Sequence, residues 1–498
     1  MKTFLTLMLF LAALPVSVGA QHNAQLPFDE SRNTVRILEG DNADPSIIRY
    51  GDEYYLVHSS FVYTPGLIVY KSTNLVDWTP CSIALKTFKG DVWAPDITFY
   101  KGRFYIYFPT LSDNGKTSMV TWADSPEGPW SEPVDLHVGG IDPEHIVDAD
   151  GKRYLLMSSG DIYPLADDGC SITGKPVNVY KGWDIPEDWD IESVSMEGLN
   201  VKKVGEYYYL FAAEGGTSGP PTSHMVVEAR SKNIMGPWEN APFNPLLRTW
   251  SRDERWWSKG HGSVVDTSDG RLFVIFHAYD NGFQTLGRQT LLRELELKDG
   301  WLRLKDGNIS LPQPQPVRVS GIADFVWQTC REHDINERFK ITPDRISIRA
   351  KGSSPADGSP LLARTSAHKY EVEACVTLKG DDTSAGLVAY YDERYHFGFG
   401  FDRNGLLRFR RGQVSRAESK CKQANSQGRM WIRMRNDCNV LTAWYSADGH
   451  EWHKFPWGFD ISGVHHNTVY GFLFVRPGIY AGGRGEAEVT DFRITNLD

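Results

Sequence analysis

A fivefold repeat constrains this chain more than any other feature. A turn containing glycine leads into an aromatic-rich strand at Gly51-Asp-Glu-Tyr-Tyr-Leu56 and Gly102-Arg-Phe-Tyr-Ile-Tyr107. The same unit returns at Gly151-Lys-Arg-Tyr-Leu-Leu156, Gly205-Glu-Tyr-Tyr-Tyr-Leu210 and Gly270-Arg-Leu-Phe-Val-Ile275. Successive copies lie about 50 to 65 residues apart, in the range of propeller blades. Short alternating strands bounded by Gly, Asn, Asp and Pro form antiparallel sheets. One small sheet cannot bury both faces, whereas five packed around an axis can, leaving only short edges. Val76-Asp-Trp78, Gly128-Pro-Trp130 and Gly236-Pro-Trp238 follow polar turns and are expected to close the outer strands of three blades. Almost no 3.6-residue periodicity is sustained. The fold class is therefore all-β: a five-bladed propeller over residues 21–310.

The pattern changes after Leu311-Pro-Gln-Pro-Gln-Pro316. Alternating prolines force extended backbone and remove sheet donors, so 311–319 reads as a linker. Residues 320–498 show longer alternating strands without the repeat, such as Ala385-Gly-Leu-Val-Ala-Tyr-Tyr391. That spacing fits a β-sandwich. A chain of 498 residues exceeds what one core usually serves, which agrees with two domains. At the other end, Lys2, the apolar run Phe4 to Val16 and the small residues Val18-Gly19-Ala20 read as a signal peptide over 1–20. No stretch is long enough for a membrane span, so a secreted or periplasmic protein is expected.

Net charge is −10 with no long basic run, which argues against a nucleic-acid partner. Six cysteines (81, 170, 330, 375, 421 and 438) contain no C-x-x-C pair, so neither a zinc site nor a thioredoxin-like motif is indicated. Sixteen Trp and twenty-two Tyr are more than one site can use, so most must pack the sheets.

In a propeller the inner strands of all blades point at one axial cavity. Carboxylates far apart in sequence can meet there. Asp44 in Asn42-Ala-Asp-Pro-Ser46, Asp142 in Gly140-Ile-Asp-Pro-Glu144 and Glu197 in Ser195-Met-Glu-Gly-Leu199 each precede a blade's glycine turn by about ten residues or fewer. A lone Asp-Pro is most simply a turn. Its repetition in two blades, with Glu in a third, points instead to paired carboxylates for acid and base work. Breaking a glycosidic bond needs such a pair.

These motifs resemble glycoside hydrolase family 43. Ala43-Asp44-Pro45-Ser46 looks like that family's base motif, Ile141-Asp142-Pro143 like its modulator motif, and Glu197-Gly198 with Glu214-Gly-Gly-Thr217 like its acid motif. Trp93-Ala-Pro-Asp96, Gly260-His261-Gly262 and Gly287-Arg288-Gln289-Thr290 also match. Leu199 stands where many relatives have Pro. The resemblance implies an inverting mechanism, with Asp44 as general base, Glu197 as general acid and Asp142 raising the acid's pKa. The two catalytic carboxyl groups should then lie about 6.5 to 9.5 Å apart. It further implies substrate contacts from Trp93, Phe61, Arg288 and His261. His261 is also a candidate water-mediated ligand of a structural Ca²⁺, although the chemistry requires no cofactor.

Trp444-Tyr-Ser-Ala-Asp-Gly-His-Glu-Trp452 and Gly485-Glu-Ala-Glu-Val-Thr-Asp-Phe492 look like a concanavalin-like accessory sandwich. The resemblance implies an exo-acting arabinofuranosidase or xylosidase on plant cell-wall glycans. Alternatives are the same fold acting on galactose-containing or arabinan linkages, or a sugar-binding propeller with a dead site. The intact carboxylate set argues against the last.

Overall fold

The computed structural model describes residues 33–498 except 39, 114, 315, 316, 412 and 417–427, together with the side chains of all of these but 413–416. The expected signal peptide, Cys421 and part of the Pro-rich segment lie outside the described residues. Five antiparallel sheets occupy the first 300 residues. Their first strands are Ser46–Tyr50, Asp96–Tyr100, Glu144–Val147, Met196–Val204 and Trp256–Asp266. Each first strand contacts that of the next sheet, and the fifth contacts the first, so the ring is closed. Closure is completed from the N-terminal end. Val35–Arg36 pairs antiparallel with Arg288–Lys298 in the fifth blade, Val35 opposite Leu292.

The repeated glycines join the first and second strands of each blade. Gly51, Gly102, Gly151, Gly205 and Gly270 have φ of +62°, +86°, +80°, +59° and +83°. A Cβ would meet no atom within 4 Å at any of them. The repeat is therefore imposed by left-handed backbone and not by crowding. Aromatic and branched side chains beyond each turn fill the spaces between blades, as with Tyr55, Ile97, Ile106 and Phe108 in one interface. The recurrent Trp78 and Trp238 stand immediately before the outer strands Thr79–Leu85 and Glu239–Asn240. Trp130 instead reaches across blades, donating its Nε1 to Ser82 Oγ at 3.0 Å.

A polar belt links the blades around the axis. Ser46 Oγ accepts the Ile97 N–H (3.0 Å), and Asp96 Oδ2 accepts that of His145 (2.9 Å). Glu144 Oε1 accepts from Val201 N (2.9 Å), Asn200 Oδ1 from Val264 N (3.0 Å) and Ser263 Oγ from Ile47 N (3.3 Å). Each belt residue thus binds the amide just after the belt residue of the next blade, and the fifth returns to the first. Buried backbone donators without partners are costly, so this cycle fixes the register of all five blades.

Two residues before the belt the chain turns left-handed in four blades. Asp44, Asp142, Gly198 and His261 have φ of +57°, +54°, +56° and +57°. Non-glycine residues in this region are uncommon and carry strain, which marks this level of the propeller. The sequence placed Asp44, Asp142 and Glu197 at equivalent positions. The structure corrects this: Gly198 is the equivalent of Asp44 and Asp142, and Glu197 precedes it by one. A bulge between Glu197 and Asn200 absorbs the offset.

The C-terminal region forms a sandwich. Its larger sheet is built around the paired strands Lys369–Lys379 and Glu486–Asn496, and its smaller one around Thr383–Tyr390 and Arg476–Gly483. The larger sheet already takes in Val319–Gly321. The sandwich docks on the propeller and is no free module. Thr329–Cys330 pairs with Tyr63–Thr64, and Val62 and Tyr63 share an apolar cluster with Leu362, Val388 and Phe474. Arg364 reaches back to Asn42, and His368 to Asp280. Cys81, Cys170, Cys330, Cys375 and Cys438 are free thiols. No described helix is long and apolar enough to cross a membrane.

Candidate active site

Asp44 is buried and its carboxylate is fully engaged. Ser59 Oγ donates to Oδ2 at 2.5 Å, and Arg288 Nη1 to Oδ1 at 3.2 Å. Nδ1 of His277 accepts the Asp44 backbone N–H at 3.1 Å, which leaves the ring's proton on Nε2, facing Thr217 Oγ1 at 3.4 Å. His261 Nδ1 lies 3.5 Å from Oδ1. Burial alone would raise this carboxyl, but its neighbours, the charge of Arg288 foremost, hold it well below the usual carboxylate range. Asp44 is therefore ionised at any working pH. Burial lowers His277 to about 4, so that ring is neutral.

Arg288 is itself buried between two acids. Asp41 Oδ1 accepts the Arg288 backbone N–H and lies 3.9 Å from its Nε. Burial pushes Asp41 up to about 6, against the pull of Arg288. The Cβ of any residue replacing Gly287 would sit 2.5 Å from the Asp41 Cβ, so the glycine before Arg288 lets the strand approach Asp41.

Glu197 has the opposite environment. Burial raises it, and the charge of Asp44 raises it further, to about 7. No hydrogen bond from a described residue engages its carboxyl. It can therefore carry a proton near neutrality and present it to the pocket. Asp142 is also raised well above its ordinary value, first by burial, then by Glu197 and Asp44. The repulsion is reciprocal, so Asp142 and Glu197 cannot both ionise readily and titrate as a pair. Asp142 also holds the acid's backbone: its Oδ2 accepts the Gly198 N–H at 2.8 Å.

All four expected contact residues gather here. Phe61 has φ +45° and its N–H donates to Val92 O at 2.7 Å, which places it beside Trp93. Arg288 lies over the Phe61 ring at 5.4 Å. Trp93 is half-buried, with Lys116 Nζ 5.0 Å from its ring. His261 faces Asp44. Among the described residues no three His, Cys, Asp or Glu side chains converge to hold a metal ion, and the chemistry derived below uses none.

A further wall, whose residue the sequence does not single out, comes from the sandwich. Phe472 stacks on Phe61 at 6.2 Å, meets Trp93 edge-on at 6.5 Å and lies 5.2 Å from the Arg288 guanidinium. His466 backs it at 4.2 Å, and Asn467 Nδ2 donates to Gly219 O at 3.2 Å. This loop sits more than 170 residues from Arg288 in sequence, and nothing local to it marks a pocket. Nor does the sequence single out Ser59, Asp41 and His277. Ser59 and Asp41 lie beside residues already singled out, while His277 is a lone histidine inside an apolar strand.

An ionised carboxylate and a protonated one, each fixed by opposite surroundings at the axis of a propeller, define an O-glycosyl hydrolase. Comparison with known proteins agrees. The family described as "Glycosyl hydrolases family 43" matches residues 34–302, and "Beta xylosidase C-terminal Concanavalin A-like domain" matches 320–495. The chain belongs to glycoside hydrolase family 43. It is 31% identical over 440 residues to a Vibrio xylan 1,3-β-xylosidase, covering 74% of this chain and 79% of that one. It is 29% identical over 494 residues to a non-reducing-end α-L-arabinofuranosidase of Bacteroides ovatus, covering 91% of each. Among solved structures, the family 43 protein BlXynB of Bacillus licheniformis superposes with a TM-score of 0.81 at 26% identity, over 93% of this chain and all of that one.

Proposed function

We propose that this enzyme releases a single pentose, α-L-arabinofuranose or β-D-xylose, from the non-reducing ends of plant cell-wall glycans with inversion. The observation that carries this is the split between Asp44 and Glu197. The carboxylate of Asp44 takes a proton from water as that water attacks the anomeric carbon. Glu197 gives its proton to the departing glycosidic oxygen. The bond to that oxygen breaks as the bond to water oxygen forms, so one displacement inverts the centre. Asp142 titrates with Glu197 as a pair, which keeps a proton between the two carboxyls, and it fixes the acid's strand through Gly198. Arg288, with Phe61, Trp93 and Phe472, bounds the sugar pocket. The wall supplied by the sandwich closes one side of that pocket, which favours action at chain ends. The names of the relatives support both sugars and do not separate them.

The test is cleavage of nitrophenyl α-L-arabinofuranoside and β-D-xyloside, with the anomer first formed read by NMR. Inverted product from either is expected. Retained configuration would overturn the mechanism, and activity on neither would overturn the substrate class. We also propose export from the cytoplasm, which rests on the first twenty residues. N-terminal sequencing of secreted protein would show whether it starts near Gln21.

A further inference from the structure

Beside the acid lies a group of aromatic side chains that the proposed chemistry does not use. It starts one strand from Glu197. Trp183 N–H donates to Glu214 Oε1 at 2.7 Å, and Glu214 pairs with Met196, the residue before the acid. Trp183 meets Trp189 at 5.7 Å, and Trp189 meets Trp250 edge-on at 5.6 Å. Trp250 is 62% exposed. A single exposed aromatic usually needs no explanation, but this one is held. Its backbone N–H donates to Glu254 Oε1 at 2.7 Å, and Glu254 Oε2 is bound by the buried Lys259. The buried Arg248 stands over Trp189 at 3.4 Å and 5.0 Å from the Trp250 ring.

The group also borders a loop that reaches the site. Arg248 Nε donates to Thr222 O at 3.0 Å, and Thr222 Oγ1 to Asp190 O at 3.2 Å. The same loop carries Thr217, which faces His277, and Ser218, whose N–H donates to Glu192 Oε2 at 2.8 Å. Glu192 is close enough to raise Glu197. The group therefore stands on the acid's side of the pocket. An acid protonates the leaving oxygen, so the chain that departs must run out over this rim.

We propose that Trp250, backed by Trp189 and Arg248, is a stacking position for a sugar of the leaving-group chain. The ligand class is a neutral oligosaccharide. A sugar ring offers an apolar face that packs against an indole. The adjoining segment carries Asp184, Glu187, Asp188, Asp190 and Glu192, which accept hydroxyl hydrogens and repel uronates. This rests on the reading of Glu197 as general acid.

The test uses the full-length enzyme on a pentosyl fluoride, whose leaving group has no sugar, and on the tetrasaccharide of the same pentose. The quantity read is the ratio of kcat/KM for tetrasaccharide over fluoride. Trp250→Ala is expected to lower it about fivefold, the effect of one lost aromatic contact of about 1 kcal/mol. Trp250→Tyr is expected to restore most of it. A ratio unchanged in Trp250→Ala, or lowered equally in Trp250→Tyr, overturns the proposal. Wild-type enzyme that cleaves neither substrate would instead overturn the proposed function.

Discussion

Replacing Arg288 by Gln tests the electrostatic core of the mechanism. Its guanidinium is buried, 3.2 Å from Asp44 and 3.9 Å from Asp41. At an effective dielectric near 20, a unit pair at that shorter distance is worth roughly 5 kcal/mol before desolvation. Removing one partner of a buried pair typically costs about 3 to 5 kcal/mol, because the other charge is left uncompensated. The pH dependence carries the sharper information. Arg288 is the main influence lowering Asp44, and it also lowers Glu197. Its loss should raise both groups, so both limbs of the pH profile of kcat/KM should move to higher pH. The stability loss should depend on pH as well. A depressed Asp44 adds stability above its unfolded value of about 3.9, and that stability is lost as pH falls through the folded value. The gap in thermal midpoint between wild type and Arg288→Gln should therefore be widest near neutrality and narrow in acid. Arg288→Lys, which keeps the charge, should shift the profile less. An Arg288→Gln profile centred where the wild type's is would refute this account of how the base is kept ionised.

Four further outcomes are expected. Glu197→Gln should abolish most turnover, a loss of about 10² to 10⁴ for a general acid, read by steady-state kinetics. The same variant should gain thermal stability over wild type as pH rises. A carboxyl raised to about 7 in the fold costs stability progressively from its ordinary value upward, and Gln removes that cost. A midpoint difference flat from pH 5 to 8 would show that Glu197 is not raised. Gly198→Ala should depress kcat with the protein still folded: the position has φ +56°, and a Cβ would lie 2.8 Å from His261 Nδ1. Asn200→Ala should lower stability by about 1 to 3 kcal/mol, because the buried Val264 N–H loses its acceptor, and Glu144 loses a donor at 3.2 Å. Denaturant titration reads that loss, and one below about 0.5 kcal/mol would mean the belt does not fix blade register.

How much of this was legible in the sequence follows from how each feature is encoded. The blades were visible because every copy needs the same left-handed glycine, a local demand that leaves a local mark. Asp44 and Asp142 were visible for a related reason: both occupy the left-handed position two residues before the belt, with Pro following. Glu197 breaks that rule by one residue, and its bulge shows no marker in the sequence beyond Gly198. The belt was unreadable because its members, Ser46, Asp96, Glu144, Asn200 and Ser263, are chemically unlike. They share a task, accepting one amide from the next blade, and any side-chain oxygen of suitable reach performs it. Phe472 was unreadable for a different reason. Its role depends on how the sandwich docks, and docking is decided by the paired strands Thr329–Cys330 and Tyr63–Thr64 and by the apolar cluster around Tyr63. A pocket wall supplied across a domain interface leaves no periodicity at either end. Phe472 nevertheless reaches Phe61, Trp93 and the Arg288 guanidinium, which itself binds Asp44, so the second domain touches the same residues that hold the base.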